Sequence, residues 1–377
     1  MLLLLTLACS STDAITEEAV LNYASIVDAS YSDSHMAAMA LNTALLDLVA
    51  SPSQAALDDA RQAWLESREP YLQTEVYRFY EGPIDNAEDG PEGLLNAWPM
   101  DEAHVDYTVD DADAGIINGS DPIGAATLVD LNGGGELNKD GGEDQVATGY
   151  HAVEFLLWGQ DLNATGPGER PYTDYVTDGT GTAANQERRG QYLSVAGALI
   201  VDHLGQVQIE WGPGAEYRTA FESNPQDALQ KILAGMIILS GFETGGERLQ
   251  AALDSGDQED EHSCFSDNTH RDMIQDVQGV QNVWLGSYTR SDGSLVEGTG
   301  IRDIVEAEDA ELAASLDAQI QESLDLANAL QTPFDQEIVP GSEGNARVEA
   351  LVLSLRAQED LLFEVFELFE LSVQIPE

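Results

Sequence analysis

The ten residues Gly149 to Trp158 (GYHAVEFLLW) constrain the fold more than any other stretch of this chain. They follow a long Gly- and Asp-rich segment and read as a helix opening after Thr148 and closing at Gly159. Val153, Phe155, Leu156, Leu157 and Trp158 leave almost no polar face. A helix apolar on all sides has to be enclosed by other elements, so the rest of the chain must be built around it. Two residues break the apolar surface. His151 and Glu154 are three apart and share one helical face a turn apart. Buried there, neither can stay unpaired. They can bond to each other and to neighbouring helices, or they can hold a metal ion. Familiar zinc-protease patterns do not decide between these. The sequence contains no H-E-x-x-H, and in the inverted form Phe155 occupies the place of the second His.

Candidate enclosing helices are legible along the chain. Apolar residues recur at helical spacing from Glu17 to Ala50 (Val20, Tyr23, Ile26, Val27, Met36, Met39, Leu45, Leu48). Ser51 and Pro52 fit the N-cap and first turn of a second helix, expected to carry Ala60, Trp64, Leu65, Tyr71, Leu72 and Val76 inward as far as Phe79. Residues 81–142 are irregular. Their Asp130 to Glu136 run (DLNGGGE) fails the calcium-loop pattern, with Gly141 where the closing Glu belongs, and reads as a long acidic loop. Further helices are expected over Ala183–Glu210, from Asn224-Pro225 to Leu253, and over Thr269–Leu285, Ile301–Leu330 and Asn345–Val373. Strand alternation is weak throughout, which makes this an all-α protein. Trp64-Leu65-Glu66-Ser67 is echoed by Trp284-Leu285-Gly286-Ser287, a faint internal repeat.

Charge narrows the partners. Lys plus Arg number 15 against 69 Asp plus Glu, a net charge of −54. Such a surface repels nucleic acid and anionic membranes and attracts cations. The apolar run Met1 to Ala8 is too short to span a bilayer and resembles the core of a signal peptide. Leu7-Ala8-Cys9 resembles the end of a bacterial lipobox with Cys9 as the lipidated residue, although no Lys or Arg precedes it. With Cys9 so used, Cys264 has no partner in the chain and no disulfide framework exists. Three segments follow: residues 1–14 as signal and tether, 15–210 as an N-terminal bundle, and 211–377 as a C-terminal bundle.

Gly149-x-His151-x-x-Glu154, continuing into Phe-Leu-Leu-Trp-Gly-Gln-Asp, resembles the G-x-H-x-x-E signature of the imelysin family of imelysin-like peptidases and iron-regulated lipoproteins. The resemblance extends to Trp64–Phe79, Asn96–Tyr107, Phe242–Leu249, Glu261–Asp272 and Val283–Tyr288, in the same order along the chain. It implies two helical bundles related by duplication, carrying long acidic loops, with a shared site near their interface. It implies His151 and Glu154 as metal ligands or as groups polarising the bound species, completed by the second block.

That block, Glu261 to His270, is dense in ligand types. His262, His270 and Cys264 suit a transition metal or iron. Asp267 or Asn268 can equally cap the next helix, and Cys264 can be a small buried apolar residue. Arg68, Glu75 and Arg78 fall on one face of a single helix if it runs unbroken, as ligand contacts or as interhelical salt bridges. His104 shares that ambiguity, whereas His35 and His203 sit on ordinary amphipathic helices. Glu243, Glu247 and Arg248 could line a cleft.

The expected protein is exported and lipid-anchored, in the periplasm or on the outer membrane of a Gram-negative bacterium. It binds a metal ion, with iron and zinc as candidates, or a metal-bearing ligand, in iron acquisition, and it meets outer-membrane iron-uptake components. A metallopeptidase using His151 and Glu154, and a non-catalytic small-ligand binding module, are the alternatives.

Overall fold

A computed structural model of the chain describes residues 2–135, 137–139 and 141–371, with side chains from residue 12 onward. The lipidation site expected at Cys9 lies outside the described side chains. Long helices dominate: Leu2–Ala50, Gln54–Leu72, Gly149–Trp158, Gln186–Trp211, Pro225–Ile237, Thr269–Leu285, Ala310–Ala327 and Glu343–Leu368. Among the described residues the strands are two, Ser287–Thr289 and Leu295–Glu297, paired as one antiparallel hairpin. The fold is all-α, as the weak strand alternation predicts. No helix among the described residues is long and apolar enough to cross a membrane.

The first helix packs on the second and on Gln186–Trp211, and the last helix packs on Ala310–Ala327 and on a π-helical stretch, Ile238–Gln250. Buried apolar side chains fall into two clusters. The larger draws on both halves of the chain, including Val20, Trp64, Phe155, Ile232, Trp284 and Leu362. The smaller, with Met273, Val277, Leu324, Phe334, Leu351 and Leu355, lies among the C-terminal helices.

Several expectations need correction. Ser53, not Ser51, caps the second helix, its Oγ accepting the Ala56 amide at 3.2 Å. Two serines flank Pro52: Ser53 has the extended backbone of a cap, whereas the Ser51 amide still bonds to the Asp47 carbonyl of the first helix. Met36 and Met39 are exposed. The buried stripe runs through Ala38, Leu41, Leu45 and Leu48, from which both methionines are rotated away. The second helix ends at Leu72, just beyond an internal Pro70, and Glu75–Tyr77 forms a separate tight turn. Arg68, Glu75 and Arg78 therefore do not share a helix. The Ile301–Leu330 span is two helices, broken where the Asp309 carboxylate caps the second by accepting the Glu311 and Leu312 amides.

Helix Gly149–Trp158 is enclosed as its composition requires, with every residue buried. Its carbonyl groups are met by side chains from other elements. Trp64 Nε1 donates to the Tyr150 carbonyl at 2.9 Å, Tyr175 Oη to Leu156 at 2.6 Å, and Arg61 Nε and Nη2 to Leu157 at 3.1 and 3.0 Å. The donors to Leu156 and Leu157 matter because the last carbonyls of a helix have no partner inside it. They also fix the helix, and so the two polar residues it carries.

Candidate functional site

Gly149 opens the helix with φ +87°, and a Cβ there would lie 2.5 Å from the Leu95 carbonyl oxygen. Only glycine lets the chain turn this tightly against the 92–96 segment. Two residues later His151 is wholly buried. Its Nδ1 is 2.9 Å from Glu154 Oε2. The other oxygen of Glu154, Oε1, accepts the Ser266 amide at 3.0 Å and the Ser266 hydroxyl at 2.6 Å. His151 Nε2 is buried without a hydrogen-bond partner.

The second block folds back onto this helix. Phe265 packs on Phe155 and on Trp98, with ring centroids 5.1 and 5.8 Å apart, and its carbonyl accepts the Gly168 amide at 3.0 Å. That anchoring brings the His262 ring to 4.9 Å from the His151 ring, nearly perpendicular to it at 76°. Trp98 covers His151 from another side at 5.0 Å. His262 Nδ1 is 2.7 Å from Asp272 Oδ2. Asp272, wholly buried in the first turn of Thr269–Leu285, also meets Arg68 Nη2 at 3.2 Å, Ser263 Oγ at 2.5 Å and Asn268 Nδ2 at 3.2 Å. Arg68 Nη1 in turn reaches Asn96 Oδ1 at 2.6 Å.

The two imidazoles are thus held alike, each with Nδ1 on a carboxylate and Nε2 left over. Burial, followed by the nearby Arg68, keeps His151 well below the usual imidazole range. Burial, with the charge of Arg248, lowers His262 to about 4. Both rings are therefore neutral near pH 7, the state in which imidazole offers a lone pair. Burial also raises Glu154 to about 8. Burial would raise Asp272 too, but Arg68 and the hydrogen bonds from His262 and Ser263 pull it well below the carboxylate range. With Asp272 ionised, His262 donates through Nδ1–H and keeps its Nε2 lone pair. Loss of one proton from the His151–Glu154 pair leaves His151 in the same form. Binding of a cation to these rings would release that proton.

His262 lines a cleft of 270 Å³ with Arg78, Glu92, Trp98, Glu243 and Arg248. Its floor is an ion-pair network. Glu75 accepts Arg78 Nη1 at 2.6 Å and Arg248 Nη2 at 2.5 Å, and Arg248 Nη1 holds Asp276 at 2.9 Å. Burial would raise Glu75, yet Arg78 and Arg248 bring it down to about 2.

Of the residues singled out from sequence, His151, Glu154, His262, Arg68 and Cys264 lie at this centre, while Glu75 and Arg78 lie in the network beside it. His270 does not join them. It is half-buried, and its Nδ1 lies 3.2 Å from the Asp267 carbonyl. Asp267 belongs to a different group of acids. Cys264 is buried, and burial pushes its thiol well up, so it behaves as a small apolar residue. His104 Nε2 lies 3.0 Å from the Leu131 carbonyl and His35 Nδ1 3.0 Å from Gln208 Oε1, both away from the site. Asp272, Ser266, Asn96 and Trp98 were inside recognised blocks but carried no separate signal. Only pairing in space shows that Asp272 orients His262. Among the described residues, carboxylate, imidazole or thiolate ligand atoms converge in threes within 4.8 Å of one another at Asp161, Asp267 and Asp335, not at the imidazoles.

Known proteins resemble most of this chain. The family model described as Imelysin matches residues 27–362. Iron-regulated protein A of Synechococcus elongatus is 25% identical over 368 residues, covering 94% of this chain and 87% of that protein. A crystal structure described as an iron-regulated protein A precursor from Parabacteroides distasonis matches with a TM-score of 0.73 at 18% identity, covering 95% of both chains. At that identity the structural likeness establishes the fold alone.

Proposed function

This chain belongs to the imelysin family, and on that premise we propose that it binds a metal ion, or a small ligand carrying one, through His151 and His262. The observation that carries this reading is the orphaned Nε2 of His151, fully buried while Nδ1 is held by Glu154. A metal-ligating histidine characteristically gives its other ring nitrogen to a carboxylate, which fixes the tautomer and raises the basicity of the ligating one. His151 with Glu154, and His262 with Asp272, both have that form.

Two imidazole nitrogens fill half of a tetrahedral shell. The remaining positions fall to water or to donor atoms on the ligand entering along the cleft, which favours a metal-bearing ligand. Both Glu154 oxygens are engaged, so Glu154 serves to orient His151 and not as a base poised over a water. That arrangement supports binding ahead of peptide hydrolysis. A role in handling iron follows from the names of the relatives. Export, lipidation at Cys9 and contact with outer-membrane iron-uptake components belong to the same proposal.

Co²⁺ titrated into chelator-treated protein tests it. The expected result is a visible absorption band of nitrogen-coordinated cobalt, saturating at one equivalent. His151→Ala and His262→Ala abolish the band, and Glu154→Gln weakens affinity by about 10–100-fold. A band that persists in both alanine variants would rule the assignment out.

A further inference from the structure

Asp161, Asp267 and Asp335 come from three distant parts of the chain. Asp161 follows the Gly149–Trp158 helix, Asp267 lies in the loop before Thr269–Leu285, and Asp335 opens the short helix Asp335–Ile338. Their carboxylate oxygens nevertheless lie within 4.8 Å of one another. All three side chains are buried, at 2%, 3% and 6% exposure. Glu261, wholly buried, adds a fourth carboxylate, whose charged neighbours are Asp335, Asp267 and Asp161.

Two features separate this group from an acidic surface patch. First, Asp161 Oδ2, Glu261 Oε1 and Oε2, Asp267 Oδ2 and both Oδ atoms of Asp335 are buried with no partner at hydrogen-bond geometry; the polar groups nearest to them are the Thr269 hydroxyl beside Glu261 and the Asp267 and Asp335 carboxyls beside each other. Glu261 weighs most, since a fully buried carboxylate with both oxygens outside hydrogen-bond geometry is costly, and the groups around it are Asp335, Asp267, Asp161 and the Thr269 hydroxyl. Second, no Arg, Lys or His is among the groups that act on these carboxylates; they act on one another. Elsewhere in this molecule buried acids are paired, as Asp106 is with Arg170 and Arg189 at 2.7 and 2.6 Å. Burial and mutual repulsion push Asp161 up to about 6 and Asp267 to about 8.

We propose that Asp161, Glu261, Asp267 and Asp335 form a binding site for a hard divalent cation of calcium size, separate from the imidazole site. Calcium takes roughly 6–8 oxygen ligands at about 2.3–2.6 Å, so oxygens on opposite sides of one ion stand roughly 4.6–5.2 Å apart. Three Asp oxygens all within 4.8 Å of one another can therefore reach a single ion. A set made only of carboxylates favours such a cation over softer metals, which prefer nitrogen and sulfur.

The site also has a structural consequence. The three segments already touch: Gln258 Nε2 donates to the Asp161 carbonyl and Gln336 Nε2 to the Ala164 carbonyl, each at 2.6 Å. An ion there fastens the 261–267 loop, which carries His262 and Ser266, against the end of the helix that carries His151.

Calorimetric titration of the chelator-treated full chain with CaCl₂, at an ionic strength that screens the acidic surface, tests the proposal. The expected result is saturable uptake of one Ca²⁺ per chain and a calcium-dependent rise in unfolding temperature. Asp335→Asn and Glu261→Gln lose both effects, while each keeps the helix content of the metal-free wild type. His151→Ala keeps full Ca²⁺ uptake, so failure at the imidazole site does not imitate failure here. Absence of saturable uptake, or unchanged uptake in Asp335→Asn and Glu261→Gln, would overturn the proposal.

Discussion

Asp272→Asn lowers the free energy of unfolding by about 3–5 kcal/mol, the range for breaking a buried ion pair from one side. Asp272 and Arg68 are both fully buried, and the single Oδ2 atom serves Arg68, His262 and Ser263. An Asn at this position removes the charge that Arg68 faces and presents an amide donor in a shell made of donors. Arg68 retains Asn96 and the faces of Trp64, Tyr71 and Tyr150, with ring centroids 5.1 to 5.5 Å from its guanidinium carbon. Those contacts are too weak to replace a carboxylate. Adding Arg68→Met to the variant recovers part of the loss, because an apolar side chain needs no counter-charge. Urea unfolding monitored by helix content measures all of these. A loss below about 1 kcal/mol, typical of an exposed pair, would contradict the account.

Gly149→Ala is expected to destabilise the protein and to disable the imidazole site together. The positive φ alone costs about 1–3 kcal/mol for a residue with a side chain. The added Cβ also meets backbone, 2.5 and 2.8 Å from the Leu95 oxygen and carbon and 3.0 Å from the Leu94 oxygen, which cannot swing aside. Relief requires moving the helix start, and His151 is two residues away. Gly93→Ala is the matched control, since a Cβ there meets nothing within 4 Å. It should stay within about 0.5 kcal/mol of wild type with the site intact. Equal effects of the two substitutions in denaturation and in Co²⁺ binding would contradict this reading of the leading glycine.

Helical periodicity and composition sufficed for the fold class and for the enclosure of Gly149–Trp158, because both depend on local pattern. Helix ends were less legible where two signals competed. Ser51 and Ser53 both suit a cap, and the choice rests on backbone angles that sequence does not display. Pro70 marked the weakness in the second helix, but a single proline near a helix end does not say whether the chain resumes. The pairing of His151 with Glu154 was legible because three-residue spacing fixes it. The pairing of His262 with Asp272 was not, since it depends on a turn in the loop from 262 to 269. Asp161 closes the signature stretch but had no role assigned to it, and Asp335 lies outside every recognised block. Each is one acid among 69 Asp and Glu residues, and only the fold shows which of them face one another.

Elemental analysis of the purified protein lacking residues 1–9, beside His151→Ala and His262→Ala made the same way, tests the central claim most directly. Calcium is left out of the count because the carboxylate site takes it independently. The account predicts one equivalent of a transition metal in the wild type, retained or readily loaded, and its loss from both variants while their helix content is unchanged. A wild type that takes up no transition metal even when loaded, or variants that keep it, would show that the two imidazoles are packing residues and that the metal-binding reading is wrong.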